Sequence, residues 1–329
     1  MKMQDKADLC FPHLSNNSCK KPMSPWTEVV LITIVLSSIS LLTAALNLLV
    51  IISVSHFKQL HTPTNILLLS LAVSDFLVGF LSMPGEIIRN TSCWYFGDCI
   101  CFLYNCLCFI ITAASVGDMV LISIDRYIAI CTPLHYHTRV TERRVKVCVC
   151  LCWLCSVSYT TLFVKDDFIQ LGKYNSCYGE CVTVVDYTTG IVDTVITFIA
   201  PVTTIVVLYM RVFVVALSQA RAMRSHVTAF SLQLSVTAAT KRSELKAART
   251  LGVLVVVFLI CFCPYYCASL ASNDLFSSSS AFVVYYLFYF NSCINPVIYA
   301  LFYPWFRKTV KLIVTLKILQ PGSCAINLL

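Results

Sequence analysis

The sequence predicts an all-α membrane protein, a bundle of seven transmembrane helices followed by a short amphipathic eighth helix. Three observations carry that expectation. Of 329 residues, 58% are hydrophobic and only 12% charged, with a mean hydropathy of +0.79, and so little polar surface cannot coat a soluble globule. Seven stretches, roughly 29–55, 64–84, 99–124, 145–164, 190–217, 251–273 and 280–302, reach the ~20 apolar residues that a helix needs to cross a bilayer core. They are longer and more uniformly apolar than the alternating segments of about 10 residues that build a membrane barrel. Lastly, with the N-terminus outside, 17 of the 24 Lys and Arg residues lie in or beside internal segments, among them Arg139, Arg143, Arg144, Arg221, Arg224, Lys241 and Arg242, as the positive-inside rule requires.

The net charge of +8 therefore reports topology and a surface facing anionic lipid, and nucleic acid is not needed to explain it. With only 9 Gly and no self-similar segments, neither a repeat array nor a fibrous protein fits. Three regions follow: an extracellular tail over 1–28, a transmembrane domain over 29–302, and an amphipathic helix with a cytoplasmic tail over 303–329.

The tail is polar and lacks the apolar core of a cleavable signal, which makes span one the insertion signal. Asn16-Asn17-Ser18 is a glycosylation acceptor on the outer side, with Asn16 the expected site. Seven cysteines (10, 19, 93, 99, 101, 177 and 181) face an oxidising compartment, where pairing would tie the segment before span five to the top of span three and to the tail. An odd number leaves at least one free.

Polar groups inside the spans are costly and so are functional candidates. Asp75 in span two shares its depth with Asn47, Ser115, Asn291, Ser292 and Asn295. A carboxylate ringed by hydroxyls and amides suits a small cation such as sodium or a protonation switch; a structural hydrogen-bond cluster is the alternative. Asp118 in span three has no partner identifiable from sequence. At the inner end of that span stands "SIDRYIAI", with Asp125, Arg126 and Tyr127. Arg126 either snorkels to the interface or pairs with Asp125 and with Glu244 of span six, a clamp whose rupture would open a cleft.

Span five opens with "TTGIVDTVITFIAPV". Its single acid, Asp193, lies eight residues before Pro201, about 12 Å or two turns of a regular helix. Either it serves the outer third of the bundle as a ligand anchor, or it neutralises a helix N-terminus, a task Asp186 performs more cheaply. Spans six and seven carry Pro264 and Pro296, each of which removes a backbone hydrogen bond and kinks its helix. Beyond them, "YPWFRKTVKLIVTL" reads as an amphipathic helix on the inner membrane surface, with Cys324 a lipidation candidate.

Along nearly its whole length the chain resembles the rhodopsin-like G-protein-coupled receptors. The motifs are Asn47, "LAVSD" in span two, Cys101 then "DRY" in span three, Trp153, Pro201 and Tyr209, Phe258 and "CFCP", and "NPVIY" from Asn295 through Pro296 to Tyr299. Within that family, "NSCINPVIYALFYPWFRK" and "CYGEC" (177–181) are similar to the trace amine-associated receptors. The resemblance implies that Cys101 pairs with Cys181 and Cys177 with an N-terminal cysteine, Cys19 being favoured, with Cys10 and Cys93 as a third pair. It also implies that Asp125, Arg126, Tyr127, Tyr209, Glu244, Phe258, Asn295, Pro296 and Tyr299 serve activation and G-protein coupling.

Two departures shape the ligand expectation. Amine receptors of this kind usually carry an aspartate eighteen residues before the arginine of "DRY"; here that position is Cys108. Some fish-expanded trace amine-associated receptors carry one in span five instead, which by resemblance makes Asp193 the ammonium counter-ion and a monoamine a better fit than a diamine. Tyr265, Tyr266 and Tyr289 would offer ring faces to the ammonium, each worth about 0.5–2 kcal/mol, and Cys108 and Phe262 would line the apolar remainder. Phe262 also stands where the family usually has tryptophan. The implied partner is a stimulatory G protein that raises cyclic AMP, at the plasma membrane of olfactory sensory neurons. The rivals are a rhodopsin-like receptor for a peptide or lipid, and a transporter, against which stands the lack of paired, interrupted half-helices. Catalysis is not expected, since no nucleophile–base pair or metal-ligand spacing occurs and all six His lie outside the spans.

Overall fold

The computed structural model describes residues 9–14, 17–21, 26–165, 169, 171–172, 175–183, 187–226, 235–271, 280–326 and 328, without the side chains of 26–28, 137, 219–251, 271, 280–283 and 325. Among these residues every regular element is a helix, and the only extended pairings are two isolated bridges, Leu9 with Lys20 and Ser18 with Tyr178. Among the described residues, six helices are long and apolar enough to cross a membrane. A further helix, Ser280–Phe302, packs along spans one, two and six as span seven.

Span one is Trp26–His56. Span two starts at Pro63, where Pro fits because the first helical N–H needs no partner, and Thr62 Oγ1 accepts the Asn65 N–H at 3.3 Å. It runs to Thr91 in three pieces, Pro63–Leu77, a π-helical turn Val78–Ser82, and Met83–Thr91. Span three is Gly97–Cys131, a short helix Pro133–Arg139 follows, and span four is Glu142–Phe163. Span five is likewise divided, into Tyr187–Thr194, a π-helical turn Val195–Ile199 and Ala200–His226. Span six, Ser235–Ala271, begins sixteen residues before its apolar stretch, because polar residues of good helical propensity prolong it past the membrane. The amphipathic eighth helix is Pro304–Val314.

The two π-helical turns have a common cause. Pro84 and Pro201 each follow a turn by two residues and have no N–H to return to Phe80 and Thr197. The loosened ladder takes in one extra residue and changes the rotation of all that precedes it. The expectation of two regular turns between Asp193 and Pro201 is thereby corrected: the segment is overlong by one residue.

Spans two and three form the centre of the bundle, and the faces of spans four and five that carry Leu151, Leu154, Val207 and Phe213 are exposed, as lipid-facing surfaces are. Spans one and two touch closely at Gly79. A Cβ there would lie 2.7 Å from Ala44 N, and Ser40 Oγ donates to Gly79 O at 2.6 Å. Asp118 does have a partner, correcting the sequence expectation: Ser70 Oγ donates to its Oδ2 at 2.7 Å while Trp153 Nε1 donates to Ser70 Oγ at 3.0 Å. One serine thus ties spans two, three and four together, a contact no single span could reveal.

At one end of the bundle, Cys10–Cys93, Cys19–Cys177 and Cys101–Cys181 are bonded and Cys99 is free. Backbone bonds from Cys19 N to Tyr178 O (2.9 Å), Tyr178 N to Asn17 O (2.7 Å) and Trp94 N to Gly179 O (2.8 Å) weave the same three segments together. Asn16 lies outside the described residues.

Candidate functional site

Below the disulfide end, spans two, three, four, five, six and seven enclose a cavity of about 410 Å³, within the size range of small-molecule sites. Asp193 lines it, half-buried, its Oδ1 accepting from Tyr159 OH of span four at 2.6 Å. One turn on, Thr197 Oγ1 bonds back to Asp193 O at 2.7 Å and meets Tyr266 OH at 3.1 Å, while Phe198 stacks on Tyr266 with centroids 4.3 Å apart. Asp193 is therefore held in place through spans four and six.

Of the other sequence-nominated residues, Cys108, Tyr265, Tyr266 and Tyr289 line the same cavity. Phe262 does not: it is 3% exposed, one layer deeper, packed between the tilted rings of Phe258 (4.3 Å) and Phe288 (4.4 Å), and only Phe288 of the three reaches the wall. Its place in the sequence put it at the right height, but a ring from span seven covers it. Tyr104, Tyr159, Tyr285 and Arg89 also form the wall and were missed. Aromatic residues are common throughout the spans, and nothing in a single sequence marks the ones that turn inward.

Three charged side chains border the cavity, Glu86, Arg89 and Asp193. Arg89 Nη2 meets Glu86 Oε1 at 2.7 Å, so these two neutralise each other. Among the described lining residues Asp193 is left as the acid without a cationic partner.

The Asp75 cluster lies deeper. Asn47, Asp75, Ser115, Asn291, Ser292 and Asn295 are all buried. Asn295 Nδ2 donates to Asp75 Oδ2 at 2.8 Å, and Asn47 Nδ2 to Ser292 O at 3.0 Å. Asp75 Oδ1 and the side-chain oxygens of Asn47, Asn291 and Asn295 have no hydrogen-bond partner. Four buried oxygens lacking donors are what a small hard cation would satisfy. Among the described residues, the one His/Cys/acid grouping that could hold a transition metal contains Cys19 and Cys177, which are spent on their disulfide.

At the opposite end Arg126 Nη2 pairs with Asp125 Oδ2 at 2.5 Å and also meets Thr64 Oγ1. Thr64 Oγ1 and Tyr136 OH each donate to the Asp125 carboxylate at 2.9 Å. Burial, then the Asp125 carboxylate, hold the Tyr136 phenol above its usual range. Tyr127 packs beside Ile130 and Val212, and Tyr209, Phe258 and Tyr299 belong to the central apolar core. Pro296 sits inside span seven. The side chain of Glu244 lies outside the described residues, and with it the expected pairing to Arg126.

Comparison with known proteins gives the same outline. The family described as "7 transmembrane receptor (rhodopsin family)" matches residues 46–299. The chain is 38% identical to trace amine-associated receptor 13c of Danio rerio over 339 residues, covering 98% of this chain and 97% of the relative. It is 38% identical to trace amine-associated receptor 6 of Homo sapiens (97% and 95% covered) and 34% to trace amine-associated receptor 4 of Mus musculus (98% and 96%). These relatives are receptors and not enzymes. The helical bundle with its cavity, the motifs that run through it and this full-length similarity agree: the chain belongs to the rhodopsin-family seven-transmembrane receptors and, among them, to the trace amine-associated receptors.

Proposed function

We propose that the protein is a receptor for an extracellular monoamine, with Asp193 as the ammonium counter-ion. The observation that carries this reading is the charge pattern of the cavity: Glu86 is matched by Arg89, whereas Asp193 has a tyrosine for its partner and, among the described residues, no cation. An ammonium would supply the missing charge. At about 4 Å and an effective dielectric near 20 the attraction is roughly 4 kcal/mol, and the rings of Tyr265, Tyr266 and Tyr289 add cation–π contact. The N-terminus lies outside, in accord with the basic residues and with disulfides that need an oxidising compartment.

Binding alone does not signal; the amine must pair more strongly with the active arrangement than with the inactive one. Spans five and six then pivot near Pro201 and Pro264, Arg126 gives up its inactive partners, Glu244 among them, and a stimulatory G protein enters the cleft and raises cyclic AMP, in olfactory sensory neurons. The Asp75 cluster takes a sodium ion, held by Asp75 with Asn47, Ser115, Asn291 and Asn295.

The test is a panel of primary to tertiary monoamines and diamines, read by cyclic AMP and by binding, on wild type and Asp193→Asn at matched surface expression. Removing one partner of a buried pair typically costs about 3–5 kcal/mol, so potency should fall by two to three orders of magnitude. Unchanged potency would sink the counter-ion role. Cys108→Asp should add diamine sensitivity.

A further inference from the structure

The cavity has a second polar station, and its chemistry narrows the ligand class. Glu86 is 2% exposed and borders the cavity from span two. Its Oε1 is saturated by Arg89 Nη2 at 2.7 Å and Asn90 Nδ2 at 2.8 Å. Its Oε2 meets only Tyr104 OH, at 3.5 Å, and that hydroxyl gives its proton to Ser82 O at 2.8 Å. Among the described residues, then, this carboxylate oxygen of a cavity-lining residue has one long hydrogen bond, from a hydroxyl already committed to Ser82 O. A buried carboxylate oxygen satisfied so weakly gains from a second, shorter donor.

We infer that Glu86 Oε2 is the second anchor of the site and accepts a hydrogen bond from a neutral hydroxyl at the far end of the ligand, which makes the ligand class amino alcohols, phenolic amines included. The inference rests on the preceding reading of Asp193 as the ammonium anchor. Charge excludes the alternatives at the Glu86 end. A second ammonium there would stand beside the Arg89 guanidinium, and a carboxylate would stand beside Glu86. The pair is neutral overall and close, so it repels excess charge of either sign while still offering an acceptor to an uncharged O–H. Tyr104 fixes the station's shape, since its ring lies flush against Gly85, where any Cβ would come within 2.2 Å of it.

The experiment uses four matched series on purified full-length receptor in lipid nanodiscs, three to seven carbons long: alkylamines, amino alcohols, diamines and amino acids with terminal groups at opposite ends. Affinity is read from ligand-induced thermal stabilisation, which needs no G protein. At the best length the amino alcohol should bind roughly ten- to a hundredfold more tightly than the alkylamine, as for a hydrogen bond to a charged group. Glu86→Gln should erase most of that preference and improve amino acid binding, because Arg89 loses its partner. Arg89→Gln should instead improve diamine binding. A side chain that only shapes the wall would not move the two charged series in opposite directions. Should either single variant fold poorly, the double variant E86Q/R89Q stays uncharged, and in it neither charged series should gain. Methyl and hydroxyl ends binding within about threefold at every length, or both variants shifting the charged series alike, overturns the Glu86 anchor while leaving Asp193 in place. If Asp193→Asn leaves all four series unchanged, the ammonium anchor fails and this inference with it.

Discussion

Gly85→Ala is expected to destabilise the receptor, against the intrinsic preference of helices. Alanine is favoured over glycine inside a helix by about 1 kcal/mol, so without a steric obstacle the substitution would raise thermal stability. In the folded protein the new methyl would stand 2.2, 2.7 and 2.9 Å from Cε2, Cζ and Cδ2 of Tyr104. Carbon atoms rest about 3.5–4.0 Å apart, which asks the ring to retreat by more than roughly 1 Å. Such a move breaks the 2.8 Å bond from Tyr104 OH to Ser82 O and presses the ring toward Trp94, whose centroid is 5.6 Å away. Overpacking costs about 1–3 kcal/mol and the lost hydrogen bond about 0.5–1.5, a sum that exceeds the helical gain. Thermal unfolding of the purified receptor should show a lower midpoint for Gly85→Ala and a higher one for the same change in a Tyr104→Ala background. A raised midpoint with Tyr104 intact would refute the close approach.

Three further outcomes follow from the same geometry. Ser70→Ala removes the hydroxyl shared by Asp118 and Trp153 and should lower stability by about 2–3 kcal/mol, seen as a lower thermal midpoint; an effect under about 0.5 kcal/mol would mean that the three-span tie is not made. Sodium should raise the wild-type midpoint with saturation and leave Asp75→Asn unmoved, with equimolar choline chloride as the control for ionic strength. Tyr136→Phe withdraws one donor from the Asp125 carboxylate, so basal cyclic AMP should rise about two- to tenfold at equal surface expression, as expected for loss of about 0.5–1.5 kcal/mol from the resting state; unchanged or lower basal signalling would contradict it.

The seven spans were readable because each is a long apolar run, and their ends were not, because a helix continues past the membrane wherever propensity allows. Span six shows this, starting at Ser235 and not near 251. Asp193 and Asp75 were legible as charges in apolar surroundings, an anomaly that a single span exhibits by itself. Arg89, Tyr104 and Tyr159 were not, since their roles depend on which way neighbouring helices turn. Phe262 shows the converse error. Its height along span six was right, but Phe288 of span seven lies between it and the cavity. The partner of Asp118 escaped for the same reason: Ser70 is one of many serines until spans two, three and four are assembled. The π-helical turns did leave a trace, a proline inside an apolar run, which says that the ladder is disturbed without saying how.

The overlong turn at Val195–Ile199 bears on how such receptors change over generations. A single-codon deletion there would restore a regular helix and swing Asp193 by about 100° around its axis, away from Tyr159, without altering any residue that touches the ligand. No point substitution at the wall moves an anion so far. Length variation in this segment is thus expected to be a faster route to a new ligand preference than side-chain replacement, and residue-by-residue alignments that place no gap in span five will equate positions facing different directions.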